Sequence, residues 1–521
     1  MPNFIPYDYN QDTMVVINFK DQLQPGTFEH AINFLVQNNL DLSVYFSAYN
    51  NEDNGRPAYD PAILLKIILF AYSKGITSSR EIQWCCKFNI IFKALSCDTV
   101  PHFTTIASFV SGHTQAIESI FEQILLTCDE QGLLGHELFA IDGCKMSSNA
   151  SKEWSGTIKE LEQKRDKIKR LIKHHIDQDS KSSTNEPLDE AIIKRAKQAA
   201  ETLTATHNKI EKFLKTAEPR MGKGKQKKEV KSNVTDNESA KMTTSKGTIQ
   251  DYNGVTSADK KHQIIIDAQA FGEGQEHHTL QPVLETIQER YRRLGINDDL
   301  YQTGIIATAD TGFANEENME YVNVNDINAY IPDNQFRSRD PKFANQKNKY
   351  GKRKNNPKKK AKAVIPASEF RFDPTNKTCI CPAGESMQLK KEGNDQRGIY
   401  KVFFHCKPTL CRNCDLKKQC MRNPASADTR TGNGRQVSFV LESKRKPTYT
   451  DWMKERVDSD KGKLIYSHRM SVVEPVFGNI GTNKGLNKLS LRGKKKVQSQ
   501  LKLFCIIHNI EKIKNYGSIA A

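Results

Sequence analysis

The feature that most constrains this chain is the run Leu138-Phe139-Ala140-Ile141-Asp142-Gly143, with Cys144 and Lys145 behind it. Four apolar residues ending on Asp-Gly predict a short buried strand with an abrupt stop. A carboxylate at the end of such a strand is stiffly held and partly desolvated. That environment suits a hard cation such as Mg²⁺, which takes oxygen ligands and usually only one or two protein carboxylates. Alone, the pattern reads as an ordinary strand-to-turn junction. It is not alone. The run Gly304-Ile305-Ile306-Ala307-Thr308-Ala309-Asp310-Thr311-Gly312 ends the same way, and a third acid, Glu474, lies in Val472-Val473-Glu474-Pro475-Val476-Phe477-Gly478.

A chain of 521 residues exceeds one ordinary core and implies two to four domains. Its net charge of +17 (78 basic minus 61 acidic residues) favours a polyanionic partner, because each neutralised phosphate releases counterions. Met1-Pro2-Asn3-Phe4 lacks the basic start and apolar core of a signal peptide. The longest apolar run, Ile63 to Tyr72, contains Lys66 and is too short to span a bilayer. A cytoplasmic protein with no membrane partner is expected. Half of the 12 cysteines fall between Cys379 and Cys420, and in a reducing compartment such clustering argues for metal before disulfides.

Residues 1–130 read as a helical domain. Asp60-Pro61 ahead of Ile63, Leu64, Ile67, Ile68 and Tyr72, with Gly75 behind, supplies an N-cap, a proline at the first helical position and a glycine stop. Ser78-Ser79-Arg80-Glu81 predicts a capping box for a helix carrying Ile82, Trp84, Cys85 and Phe88. Such short helices suit either a helix-turn-helix DNA reader or a bundle used for assembly. Residues 131–341 read as the first part of a mixed α/β domain, because strand signals alternate with helical ones. Within it, 152–215 predicts a long helical hairpin and 218–247 a polar, basic, mobile linker. Residues 342–363, with Lys352, Arg353, Lys354, Lys358, Lys359 and Lys360, read as a disordered basic loop.

Residues 364–440 hold the cysteine cluster. Cys411-Arg412-Asn413-Cys414 has the spacing of a zinc knuckle, and Cys379, Cys381, Cys406 and Cys420 supply further thiolates. Structural zinc is the favoured reading over unligated thiols, although six cysteines exceed four ligands. Residues 441–521 carry Glu474 and then a final amphipathic helix, with Val497, Leu501, Phe504, Cys505 and His508 as its core-packing face. Pro475 predicts that Glu474 sits near a helix start. Arg469, Lys484, Arg492, Lys494, Lys495 and Lys496 surround the glutamate as candidate DNA contacts.

Three carboxylates brought together hold two divalent cations about 3.5–4 Å apart, which clamp the attacking and leaving oxygens of a phosphoryl displacement. In order along the chain, the motifs resemble those of a bacterial insertion-sequence transposase of the DDE type, in the subgroup with a cysteine cluster before the final glutamate. The resemblance runs from Arg56-Pro57-Ala58-Tyr59-Asp60-Pro61 through Ile141-Asp142-Gly143, Tyr252-Asn253-Gly254-Val255 and Ala309-Asp310-Thr311-Gly312-Phe313 to Val473-Glu474-Pro475-Val476-Phe477-Gly478 and His508-Asn509. It implies a ribonuclease-H-like mixed-sheet catalytic domain with Asp142, Asp310 and Glu474 as the metal-binding triad. It also implies Mg²⁺ or Mn²⁺, cleavage and strand transfer of double-stranded DNA at the element's terminal inverted repeats and a target, and at least a homodimer on nucleoid DNA. Related transposases place a Tyr and an Arg before the glutamate and a Lys after it. Tyr466 and Arg469 keep their mutual spacing, but Arg469 lies one residue further from Glu474 and Lys484 comes later. Cys144 stands where similar proteins often have Thr. A nuclease of the same fold, or a catalytically silent zinc-stabilised DNA-binding descendant, shares much of this pattern.

Overall fold

A computed structural model of the protein describes residues 17–49, 57–182, 190–223, 227–244, 247–343, 364–394, 399–429, 432–443 and 447–519. The basic cluster Lys352 to Lys360 lies outside them. The chain divides into two compact units, one of residues 1–334 with 453–521 and one of residues 335–452.

Six helices open the larger unit: α1 (Phe28–Asn38), α2 (Pro61–Ser73), α3 (Ser79–Phe88), α4 (Ile90–Ser96), α5 (Phe103–Gly112) and α6 (Thr114–Glu130). At the start of α2, Asp60 Oδ1 accepts the Ala62 amide at 2.7 Å and Pro61 takes the first helical position, where no amide is needed. Gly75 adopts a φ of 76° just past its end. The capping box expected at Ser78 is not closed: its side chain makes no cap, and only its carbonyl accepts from the Ile82 amide, at 2.9 Å.

A mixed sheet follows, built from β1 (Leu138–Ser147), β2 (Ala240–Thr244), β3 (Gly247–Asp259), β4 (Ile265–Phe271), β5 (Ile306–Ala309) and β6 (Ala329–Tyr330). Its order is β6-β5-β1-β3, with β2 and β4 sharing the far edge of β3. β1, β5 and β6 are parallel, whereas β3 runs antiparallel to β1 and β4 antiparallel to β3. The stop expected at Asp142-Gly143 needs correction. β1 continues to Ser147 because β3 pairs with it throughout, from Phe139 to Ser147. What ends at Ile141 is the parallel pairing with β5.

Between β1 and β3, α7 (Ile158–Ser182) and α8 (Glu190–Leu214) pack along each other over Leu161, Ile168 and Ile210. The segment read as a mobile linker holds β2 and two-residue ladders instead, Arg220–Met221 with Glu229–Val230 and Ser155–Gly156 with Ser232–Asn233. Its polar side chains bond to residues outside it, which composition does not reveal. Asn233 Nδ2 donates to Ser155 Oγ at 2.8 Å, and Tyr252 donates its hydroxyl to Asp236 at 2.8 Å. Two shorter helices flank β5, α9 (Leu280–Arg293) and α10 (Glu316–Val324).

The chain returns to this unit with α11 (Asp460–Phe477) and α12 (Lys494–Tyr516). The sequence predicted one buried face on α12, but burial extends right round it, because it lies between β4 and α1, α2, α5 and α6. Its polar residues are therefore partnered: Asn509 Nδ2 donates to the Ile265 carbonyl and its Oδ1 accepts the Ile265 amide, both at 2.9 Å. Beside them sits a buried charge cluster. Arg290 on α9 reaches Asp267 on β4 and Glu118 on α6, each at 2.7 Å, and Lys502 on α12 reaches Glu118 at 3.0 Å and Asp267 at 3.3 Å. Burial works to raise the Asp267 carboxyl, but the Arg290 and Lys502 charges outweigh it and hold the group below the usual range. No helix among the described residues is long and apolar enough to cross a membrane.

The smaller unit is a five-stranded antiparallel sheet, β7 (Arg371–Asp373), β8 (Thr378–Ile380), β9 (Ser386–Asn394), β10 (Ile399–His405) and β11 (Gln436–Ser443), in chain order across the sheet. Phe370, Met387, Val402, Phe404 and Val437 form its core, and Phe372 stacks on Phe439 at 4.3 Å.

Removing one partner of a buried ion cluster leaves uncompensated charge in a medium that solvates it poorly. Asp267→Ala is expected to lower the unfolding free energy by about 3–5 kcal/mol in urea titration. A loss below about 1 kcal/mol, the scale of a surface pair, would contradict this reading of the cluster.

Candidate active site

The register of β1 on β5 does what chain distance obscures. Ile141 pairs with Ala309, so the next residues, Asp142 and Asp310, lie side by side where the parallel pairing ends. In the chain they are 168 positions apart (310 minus 142). Asp310 caps the short 3₁₀ turn Thr311–Phe313 by accepting the Gly312 amide. Asp142 accepts its neighbour's amide, Gly143, at 2.8 Å through Oδ1, and its Oδ2 accepts from Arg469 Nη1 at 2.7 Å. Burial pushes the Asp142 carboxyl above the usual range, Arg469 and the Gly143 amide pull it back, and the charge of Asp310 adds to the rise. The thiol of Cys144 is pushed up to about 12 by burial, so it is a neutral thiol near neutral pH.

Arg469 comes from α11, which lies against β1, β3, β5 and β6 with Val472, Val473 and Val476 buried. Glu474 stands elsewhere on that helix. Five residues beyond Arg469 is about 140° round, and its exposed carboxylate makes no hydrogen bond or ion pair among the described residues. The helix start expected at Pro475 is the reverse of what is found: Pro475 lies in the last turn of α11, ahead of a π-helical turn at Gly478–Asn483. The Ser471 carbonyl, which a proline leaves without its helical donor, accepts from Gln263 Nε2 at 3.2 Å.

The candidate DNA contacts divide into two groups. Arg469 and Lys484 are buried and internally paired, Lys484 with Glu511 at 2.5 Å. Arg492, Lys494, Lys495 and Lys496 are exposed, with Arg492 Nε donating to the Asn149 carbonyl at 2.7 Å.

One residue that the sequence reading passed over stands beside the same two strands. Glu276, between β4 and α9, takes a hydrogen bond from Lys145 Nζ at 3.1 Å. A Cβ on Gly143 would lie 2.5 Å from Glu276 Oε1, and one on Gly312 would collide with Oε2. The segment is pinned behind it, since the His277 carbonyl accepts from Asn315 Nδ2 at 2.8 Å and from Asn318 Nδ2 at 2.9 Å. The available signal was an acid in a Gly-rich loop joining a strand to a helix, which is weak by itself.

In the smaller unit, Cys381, Cys406, Cys411, Cys414 and Cys420 line a cavity of about 30 Å³. Cys379 is not among them: its buried Sγ stands 3.7 Å from Met387 Sδ in the apolar core, with its thiol pushed up to about 11 by burial. Among the described residues, no group of three or more His, Cys, Asp or Glu is arranged to hold a metal ion. Structural zinc, expected from cysteine spacing, is thus not supported among the described residues. The carboxylates differ in chemistry rather than in readiness: Asp142 and Asp310 offer hard oxygen donors that fit a divalent cation, with Arg469 engaging Asp142.

These features define a basic mixed α/β protein with a carboxylate-centred site where its parallel pairing ends. Residues 380–514 match the family described as a transposase DDE domain, and residues 17–112 the family described as a transposase domain (DUF772). Both matches support an insertion-sequence transposase of the DDE type. Neither matched range includes Asp142 or Asp310. No curated protein and no solved structure matches the chain.

If Gly143 is small because Glu276 occupies the space above it, the two are energetically coupled. Gly143→Ala is expected to destabilise the protein by about 1–3 kcal/mol, the usual cost of overpacking. In a Glu276→Ala background the loss should shrink. Equal losses in both backgrounds, measured by denaturant unfolding, would contradict the contact.

Proposed function

We propose that the protein is a DNA transposase that cleaves and joins strands at the terminal inverted repeats of an insertion sequence. The observation that carries this reading is the β1–β5 register, which sets Asp142 beside Asp310. Two further features support it. The order β4-β3-β1-β5-β6, with three antiparallel strands and then two parallel to β1, agrees with a ribonuclease-H-like sheet. A net charge of +17 agrees with a DNA partner.

Asp142 and Asp310 hold Mg²⁺ or Mn²⁺ in this reading, and Glu474 is the third acid. The bound cation supplies positive charge where charge builds on the phosphoryl oxygens. The chain's own residues fix the geometry. The paired strands hold the two carboxylates in place, and Arg469 orients Asp142. The reaction is an in-line displacement at phosphorus, in which a bond to water or a 3′-hydroxyl oxygen forms as the bond to the leaving 3′-oxygen breaks. Exposed Arg492, Lys494, Lys495 and Lys496 contact the phosphate backbone, which positions DNA without reading its sequence. Bringing two element ends and a target together calls for at least two copies of the chain.

Cleavage of DNA carrying the element's own ends, with Mg²⁺, tests this. Asp142→Asn and Asp310→Asn should each lower cleavage by about a hundredfold or more, as losing a preorganised electrostatic group does, with DNA binding retained. Full cleavage by either variant overturns the assignment. Cleavage by the intact protein without strand transfer would make it a nuclease of the same fold.

A further inference from the structure

We propose that Glu276 is a further carboxylate of this site, a ligand for the divalent cation beside Asp142 and Asp310, with Lys145 standing as its counter-ion while no cation is bound. The inference rests on the function proposed above. It starts from the two glycines. Gly143 follows Asp142, and Gly312 lies two residues past Asp310. The Glu276 carboxylate spans the space above both: Oε1 lies against Gly143, and Oε2 lies against Gly312, where Asp310 Oδ1 is 3.1 Å from the same Cβ position. Its two oxygens thus reach the glycines that follow both acids, and its side chain is only 16% exposed.

A second observation comes from β3. Asn253 is wholly buried, and neither its Oδ1 nor its Nδ2 has a hydrogen-bond partner among the described residues. Its Oδ1 lies 3.1 Å from the Gly143 Cβ position that Glu276 Oε1 also faces. Buried amides without partners are costly and uncommon. Here the unpartnered amide oxygen lies on the same side of Gly143 as the Glu276 carboxylate, as a neutral oxygen donor next to a hard cation would.

The protein's own cations complete the argument. Arg469 engages Asp142 and Lys145 engages Glu276, so these two carboxylates each have one basic partner. A divalent cation arriving between the acids competes with both. Lys145 then acts on cation affinity through Glu276, which an ordinary structural ion pair would not do.

The test is Mn²⁺ binding to the full-length protein, followed by the electron paramagnetic resonance of free Mn²⁺, with thermal unfolding as the check on folding. Glu276→Gln is expected to weaken Mn²⁺ binding about tenfold or more. Lys145→Met is expected to strengthen it, and the gain should vanish when Glu276→Gln is also present. Asp142→Asn separates the two claims. If Asp142→Asn loses Mn²⁺ while Glu276→Gln binds as the parent does, Glu276 is no ligand and the proposed function stands. If the parent binds no Mn²⁺, both fail. A Lys145→Met gain that persists in the Glu276→Gln background also overturns the proposal, because Lys145 would then act only through its general field.

Discussion

Four elements spanning residues 118 to 502 meet at the charge cluster of Glu118, Asp267, Arg290 and Lys502. Burying an arginine and a lysine beside a sheet is expensive unless their carboxylate partners arrive together. The cluster is therefore satisfied only when α6, β4, α9 and α12 are all in place. It fixes α12 between the helical segment and the sheet, which explains why burial runs round the whole helix. α11 precedes α12 and delivers Arg469 to Asp142. The candidate site inherits its geometry from this internal clasp.

Charge balance is also the theme of the site. Two acids lie side by side, and the raised Asp142 carboxyl reflects both burial and the neighbouring Asp310. Arg469 offsets one acid and Lys145 offsets Glu276. Such neutralisation lets carboxylates persist close together. The smaller unit gathers thiols round one cavity, where burial and the neighbouring Cys411 push Cys406 up to about 12.

Much of this was readable from sequence where the signal is local. The apolar runs ending at Asp142 and Asp310 announce themselves, as do the Asp60 cap and the helical spacing of α2. Features set by distant partners were not readable. β1 runs on past Gly143 because β3 covers it, and register across 168 positions has no local code. The polar stretch around Asn233 passes for a linker until its hydrogen-bond partners are known. Pro475 reads as a helix start because proline is common there, yet Gln263 satisfies the carbonyl it strands. Glu276 shows no motif of its own; only the bare space over Gly143 and Gly312 gives it away.

The central claim is that Asp142 and Asp310 hold the same catalytic cation. The most direct measurement is a metal-preference switch in DNA end cleavage by Asp310→Cys. A thiolate ligand disfavours Mg²⁺ and accepts softer ions. The account predicts that this variant is inactive with Mg²⁺ and regains cleavage with Mn²⁺ or Cd²⁺, while the parent prefers Mg²⁺ or Mn²⁺. Equal loss with every ion, in a variant that still folds and binds DNA, would contradict direct ligation by Asp310.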